Sequence, residues 1–414
     1  MTQRWREGGW AGRNLPAACF ALVHVFIVAV LFRTVYRMPF SGLGLYFDYA
    51  SKLLDGRVPY RDFALEYPPF ALVFFTLPRL AGASFVSYYV AYQAQIVVWD
   101  IVALFTLAAI ARRIGENVWV VLAGYTLMFL AAGPVIIEQY DLFPAVITLL
   151  ALLAYVSNKP TGVWIALSLG ALTKLYPLLL MPVFAMPALE RRDLPALRRA
   201  AITCALTVLV AMSPLLVVAP TAIVRFFAYH GNRGIQAEST YAAFLLAADK
   251  LHLTHVGLEF SYGSWNVSGG APDILALGSA FFLVLAVGGA WRWIYRRRAW
   301  DTRTIGASCA LVVAAVLVSS KVLSPQYIIW LAPLLALAGP ARKTVWPLFV
   351  LIGAATYYIF PSNYDRLIFR DDGTVITVLL IRDLMLIALA LLLAASVARG
   401  AERPPEQPSR RDAA

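Results

Sequence analysis

What most constrains this chain is a series of apolar runs, each close to bilayer-crossing length, with arginines and lysines gathered at their ends. A span needs roughly 20 apolar residues. The runs 15–36, 85–111, 117–134, 140–157, 199–219, 273–295, 304–320, 327–340, 344–361 and 374–397 meet or approach that length. Of the 414 residues, 14% are charged and 61% hydrophobic, whereas soluble domains carry about 25% charged residues. A polytopic membrane protein follows. The net charge of +12 does not imply a nucleic-acid partner, because a basic binding face needs a soluble surface on which to cluster. Here the arginines mark the ends of apolar runs, and topology explains them.

Lysine and arginine favour the cytoplasmic side in short loops. Arg4, Arg6 and Arg13 put the N-terminus inside, and Arg112 and Arg113 bring the second span back inside, so 37–84 becomes one long external loop. The first run follows a basic N-terminus, and its length reads as a retained anchor rather than a cleaved signal. Lys159 is inside, and so are Arg191, Arg192, Arg198 and Arg199, so TGVWIALSLGALTKLYPLLLMPVFAMPALE must go out and return. That segment is too short for two full spans, which predicts a short helical hairpin turning near Lys174 and Pro177. Arg296, Arg297, Arg298, Arg342, Lys343 and Arg399 agree with this parity. The expected fold is an all-α polytopic membrane protein of about 12 membrane-inserted helices with both termini cytoplasmic. It forms one transmembrane domain over 1–398, with a second large external loop at 220–272. The Pro-rich, polar tail over 399–414 is expected to be disordered.

Within the first external loop, GLYFDYASKLLDGRVPYRDFALE places Tyr46, Tyr49, Ala50, Leu53 and Leu54 at helical spacing, with Gly56 to stop the helix. This predicts an amphipathic helix on the membrane, followed by a second juxtamembrane helix in YPPFALVFFTLPRLAG (67–82) that starts at the Pro-Pro step. Three acids here are candidate bases. Asp48 has Lys52 four residues on, the spacing of a solvated salt bridge. Asp62 and Glu66 lie four apart beside Arg61, in an apolar setting that raises a carboxylate's pKa and makes it a usable base.

Further along, GPVIIEQYDLFP brings Glu138, Gln139 and Asp141 to a helix start, where Gln139 is a candidate sugar contact and Asp141 complements the helix dipole. Lys174, followed by Tyr176, sits in an apolar hairpin tip where an unpaired charge is costly, and its natural partner is an anion such as a phosphate. In SSKVLSPQYIIW, Lys321 offers a second phosphate contact beside Ser324 and Gln326. The string YHGNRGIQAESTYAAFL supplies His230, Arg233, Gln236 and Glu238 for a lid or an acceptor site. Cys19, Cys204 and Cys309 lack metal-site spacing, and the pair His252 and His255 has no third ligand nearby. Asn266-Val-Ser matches a glycosylation sequon by pattern alone. No P-loop, strand-borne GxGxxG or HExxH occurs.

Three strings, LYFDYASKLLDGRVPYRDFALEYPPF, GALTKLYPLLLMP and KVLSPQYIIWLAPLL, resemble in that order the bacterial polyprenol-phosphate-sugar-dependent glycosyltransferases of the C superfamily, the group that contains α-1,2-mannosyltransferases of actinobacterial envelope assembly. The likeness spans 40–340. It implies inverting transfer of a hexose, mannose foremost, from a polyprenyl-phosphate donor to an envelope glycolipid or glycan. It also implies a bacterial plasma-membrane site facing outward, no metal and no cofactor, and a carboxylate in the first external loop as base. Relatives carry an aspartate four residues before the tyrosine matching Tyr46, and here that position is Gly42. The base must then be another acid: Asp48 is nearest, with Asp62 and Glu66 as alternatives. Lys174 and Lys321 are expected at the donor phosphate, and Gln139, Tyr176, Glu238 and Gln326 at sugar or acceptor. Two other readings stand beside this one. A lipid or solute transporter would use charges inside the spans, such as Asp100 and the Arg382-Asp383 pair. An inactive scaffold would keep the fold without a base.

Overall fold

The computed structural model describes residues 10–35 and 42–401; Arg4, Arg6 and the tail beyond 401 lie outside the described residues. In chain order the helices are α1 (Trp10–Val35), α2 (Leu43–Leu54), α3 (Ala71–Arg79), α4 (Phe85–Ile114), α5 (Val118–Ala132), α6 (Val135–Glu138), α7 (Leu142–Val156), α8 (Pro160–Thr173) and α9 (Tyr176–Glu190). They continue as α10 (Leu194–Val218), α11 (Ala222–Gly231), α12 (Thr240–Lys250), α13 (Gly270–Arg297), α14 (Ile305–Ser319), α15 (Ala332–Ala336), α16 (Arg342–Ile359), α17 (Tyr364–Phe369) and α18 (Gly373–Ala401). Among the described residues, α1, α4, α10, α13 and α18 are long and apolar enough to cross a membrane. The segments 325–336 and 339–359 form a pair bent by 118°, which adds a sixth span if counted as one. The expectation of about 12 inserted helices also counted α5, α7, α8, α9 and α14, which occur where expected but fall below the length of a full crossing.

The helices gather around α14, which is apolar on every face and nearly all buried, as a helix at the centre of a bundle must be. Close approach needs a small residue where α16 meets α5: a Cβ at Gly353 would lie 2.2 Å from the Ala131 carbonyl oxygen. The α1–α4–α5 contact is pinned by polar groups. His24 Nδ1 lies 2.7 Å from Asp100 Oδ2, Tyr125 donates to Asp100 Oδ1 at 2.8 Å, and His24 Nε2 meets Thr126 at 2.8 Å.

The α8–α9 hairpin turns at Lys174 and Leu175 as expected, and its helices are shorter than the long helices beside them. Arg298, just beyond α13, pairs with Glu190 at the end of α9, Nη2 to Oε1 2.6 Å, which aligns the two helices at one end of the bundle. At 1.5 Å per residue, α13 then rises about 20 Å beyond the hairpin tip.

A cap lies at the same end of the bundle as the turn. It consists of α11, α12 and a three-stranded antiparallel sheet of order β1-β3-β2, with β1 (Ile235–Gln236), β2 (Gly257–Ser261) and β3 (Ser264–Ser268). The sheet departs from the all-α expectation and from the reading of 220–272 as a loop. Strands β2 and β3 are joined by Tyr262 and Gly263, with φ of 50° and 72°, the paired positive angles of the tight hairpin turn that suits strand twist. Helix α12 packs on α18, and Trp265 meets Phe369 edge-on at 5.2 Å, so the cap is docked on the bundle. Asn266 lies in β3, 1% exposed, with its amide nitrogen donating to Ser261 and Ser264. Its sequon is therefore spent on the sheet.

Candidate active site

Helix α2 buries Leu43, Tyr46, Tyr49 and Ala50, the face its periodicity predicted, and stops before Gly56 at φ 80°. The chain then turns back on itself. Tyr60 takes a positive φ of 62° and donates its hydroxyl to the Tyr67 carbonyl, and Pro68 and Pro69 lead into α3. These turns separate two acids that a continuous helix would have aligned. Asp62 points outward, paired with Arg61 at 2.8 Å and accepting from the Val58 N–H at 2.8 Å. The Arg61 hydrogen bond and the Val58 amide hold its pKa down at about 2. Glu66 turns inward and is partly buried. Burial pushes its pKa up, with the Arg233 charge as the largest opposing influence and the Tyr67 and Tyr229 hydroxyls acting in the same sense as Arg233. Tyr229, on α11, donates to Glu66 Oε2 at 3.3 Å and to the Tyr262 carbonyl at 2.8 Å. Asp48 is half-exposed and bonded to Lys52 at 2.6 Å. A general base must be ionised before the step and hold the proton it then takes, so a proton affinity raised above that of an ordinary carboxylate suits the role. Of the three acids in this loop, Glu66 has the raised proton affinity and the sheltered setting.

Beside Glu66 the α8–α9 turn presents Lys174, 9% exposed. Its Nζ lies 3.0 Å from Asp141 Oδ1, and Trp330 Nε1 donates to the same oxygen at 2.7 Å. Four rings surround the ammonium, with centroids at 4.5 Å (Tyr140), 4.7 Å (Tyr327), 5.5 Å (Trp330) and 5.8 Å (Tyr67). Aromatic faces attract a cation through their quadrupoles. Trp330 is itself held between Tyr327 at 4.2 Å and Tyr176 at 4.4 Å, and the Tyr176 hydroxyl donates to the Pro144 carbonyl at 3.0 Å.

Gln139 accepts from the Tyr46 hydroxyl at 2.6 Å. A Cβ added at Gly42 would sit 2.8 Å from Gln139 Nε2, so the Gln139 amide occupies the space into which a side chain at position 42 would grow.

The cap adds further cations. Lys321 Nζ donates to the Gly231 carbonyl at 3.0 Å, and burial, then Arg233, lowers its pKa. Arg233 Nη2 donates to Ser264 Oγ at 2.9 Å, while its Nε is buried without a hydrogen-bond partner. His230 has its pKa lowered, chiefly by burial.

Glu66, Gln139, Lys174, Tyr176 and Lys321 are thus brought to one region, and Gln326, half-buried, follows Pro325 in the 3-10 turn that carries Tyr327 and Trp330. Asp48 and Asp62 remain on the exterior. Glu238 is 2% exposed beneath the cap, bonded to Gln236 at 2.9 Å and to Tyr364, so it reaches the site only through neighbours. Asp141, Tyr67, Tyr229 and Arg233 complete the constellation. Of these the sequence singled out Asp141, as a complement to the helix dipole, and Arg233, in the loop ahead of β1; Tyr67 and Tyr229 gave no signal of their own.

The sequence model of glycosyltransferase family 87 matches residues 65–320, a stretch that contains Glu66, the Lys174 turn and the cap. No curated protein matches the chain. Among solved structures the chain is similar to ArnT from Cupriavidus metallidurans, solved with undecaprenyl phosphate bound. The identity is 17% and the TM-score 0.48, over 97% of this chain and 82% of that one.

Proposed function

The chain belongs to glycosyltransferase family 87, and we propose that it moves a hexose from a polyprenyl-phosphate donor to an envelope glycolipid or glycan, with Glu66 as the base. The acceptor hydroxyl oxygen attacks the anomeric carbon on the face opposite the lipid phosphate. The new C–O bond forms as the bond from that carbon to the phosphate oxygen breaks. The electron pair leaves with the phosphate, the hydroxyl proton passes to Glu66, and the configuration inverts. The observation that carries this reading is the one carboxylate of the first external loop that turns inward, its proton affinity raised by burial against the pull of Arg233, which in turn neighbours Lys321. Fixed positive charge of this kind stabilises a phosphate as its charge develops, so the step as written calls for no metal and no cofactor.

Mannose is the sugar to test first. Gln139, Tyr176 and Gln326 are the residues proposed to contact sugar or acceptor. The five shorter apolar helices lie within the bilayer alongside the long ones, in a bacterial plasma membrane. The cap faces outward, because Arg112, Arg113, Arg191, Arg192 and Arg296–Arg298 collect at the ends of helices away from the Lys174 turn. The transporter reading loses its charges to internal clamps: Asp100 is tied to His24 and Tyr125, and Arg382 pairs with Asp383 at 3.0 Å.

The test is purified protein in lipid, supplied with radiolabelled polyprenyl-phosphate mannose and a panel of acceptors. Release of polyprenyl phosphate with label on an acceptor is the expected result. Vesicle uptake without turnover, or inertness with every labelled polyprenyl-phosphate hexose, would refute it.

A further inference from the structure

The cations near Glu66 are not equivalent, and the difference bears on how a lipid-linked phosphate is recognised, an inference that rests on the transfer reading above. Lys174 is already committed: its charge is matched by Asp141, which is 0% exposed, and its remaining faces meet aromatic rings. Drawing Lys174 toward a ligand would leave a carboxylate buried with one donor, the Trp330 indole. Lys321 spends one hydrogen on the Gly231 carbonyl and has no carboxylate partner among the described residues. Arg233 is anchored through Nη2 on Ser264 of β3, which fixes its guanidinium plane, and its buried Nε has no hydrogen-bond partner among the described residues. Arg233 and Lys321 repel one another, and Arg233 exerts the largest charge attraction on Glu66. Two like charges set side by side at a partly buried site cost energy that an anion between them relieves.

We propose that Arg233 and Lys321 form the seat for the donor's phosphate, that the cap therefore carries donor recognition, and that Lys174 with Asp141 is a positioning pair. Charge balance through the reaction supports the assignment. Before transfer, the donor's phosphodiester carries one negative charge and the Glu66 carboxylate another, against the two cations. Afterwards Glu66 holds the proton and the released phosphate monoester carries two negative charges, again against two cations. The site never buries net charge along the way. A diphosphate-linked donor would bring an extra negative charge with nothing to meet it, so the same seat selects the monophosphate linkage.

The full-length protein in lipid nanodiscs tests this by competition among a long-chain polyprenyl phosphate, the matching diphosphate and the matching polyprenol. The wild type is expected to prefer the monophosphate to both. Arg233→Ala and Lys321→Ala should each weaken monophosphate binding about ten- to a hundred-fold, the range of a charge-assisted hydrogen bond, with polyprenol binding unchanged. Arg233→Lys should keep part of the preference, which guards against loss through misfolding. The double variant Lys174→Met/Asp141→Asn should keep all of it. Undiminished preference in both alanine variants, or its loss in the double variant alone, overturns the seat. If the preference behaves as expected and no hexose is ever transferred, the seat stands and the transfer reading falls; a wild type indifferent to the phosphate overturns the seat.

Discussion

Replacing Lys174 with methionine keeps the length of the side chain and removes its charge. What it strands is Asp141, 0% exposed, whose Oδ1 would retain only the Trp330 N–H at 2.7 Å and whose Oδ2 has no hydrogen-bond partner. Removing one partner of a buried ion pair costs about 3–5 kcal/mol. The single variant should therefore melt well below the wild type. Asp141→Asn leaves the ammonium among four ring faces, which return about 0.5–2 kcal/mol, so it should be less damaging. The double variant buries no uncompensated charge, and the asparagine still accepts from Trp330. It should recover most of the stability lost in Lys174→Met. Thermal inactivation of the three variants in one lipid, followed as half-life because multi-pass proteins often unfold irreversibly, measures the coupling. Hexose transfer by the double variant should stay within about ten-fold of wild type, the size of a displaced positioning group rather than a lost base. Additive losses in the double variant would refute the buried-pair account. A stable but inactive double variant would return Lys174 to direct contact with the phosphate.

Other consequences follow from the cap. Burial pushes the Glu238 pKa up from 4.5 to about 7, against the pull of Arg382 and the hydrogen bonds from Gln236 and Tyr364, with Asp383 adding to the rise. A carboxyl with a raised folded-state pKa binds its proton more tightly when folded, so its stabilisation is complete below pH 4.5 and is lost as pH rises through about 7. Glu238→Gln should match the wild type in acid and outlast it at alkaline pH, by up to about 3 kcal/mol; thermal inactivation across pH checks this, and parallel profiles would contradict it. Gly263 sits at φ 72° with its missing Cβ 3.2 Å from Glu66 Oε2. Gly263→Ala should lower the transfer rate about ten-fold by displacing the base, at a stability cost of about 1 kcal/mol; an unchanged rate would show that the hairpin tip does not bear on Glu66.

The fold was legible where its signals are local. Helix α2 buries Tyr46, Tyr49 and Ala50 because their spacing puts them on one face, and the parity of arginine clusters located the Lys174 turn. The cap sheet left little trace: its strands are five residues long or shorter, its turn is Tyr-Gly rather than Asn-Gly, and docking against α18 and Phe369 supports it. Asp62 and Glu66 lie four residues apart, one helical turn, and both read as candidate bases. The positive φ at Tyr60 and the prolines that follow break that periodicity, so one acid meets water and the other the site. The Lys174–Asp141 pair joins separate helices, a relation that only tertiary packing defines.

The account turns on one carboxylate, and the most direct measurement compares single-turnover transfer by Glu66→Gln, Asp48→Asn and Asp62→Asn with the wild type, at saturating labelled donor and one acceptor. Loss of a general base lowers the rate about 100- to 10,000-fold, and that loss is expected for Glu66→Gln alone, with donor binding preserved. The two exposed acids should transfer at close to the wild-type rate. A Glu66→Gln variant that transfers normally, or an Asp48→Asn or Asp62→Asn variant that does not, would contradict the assignment.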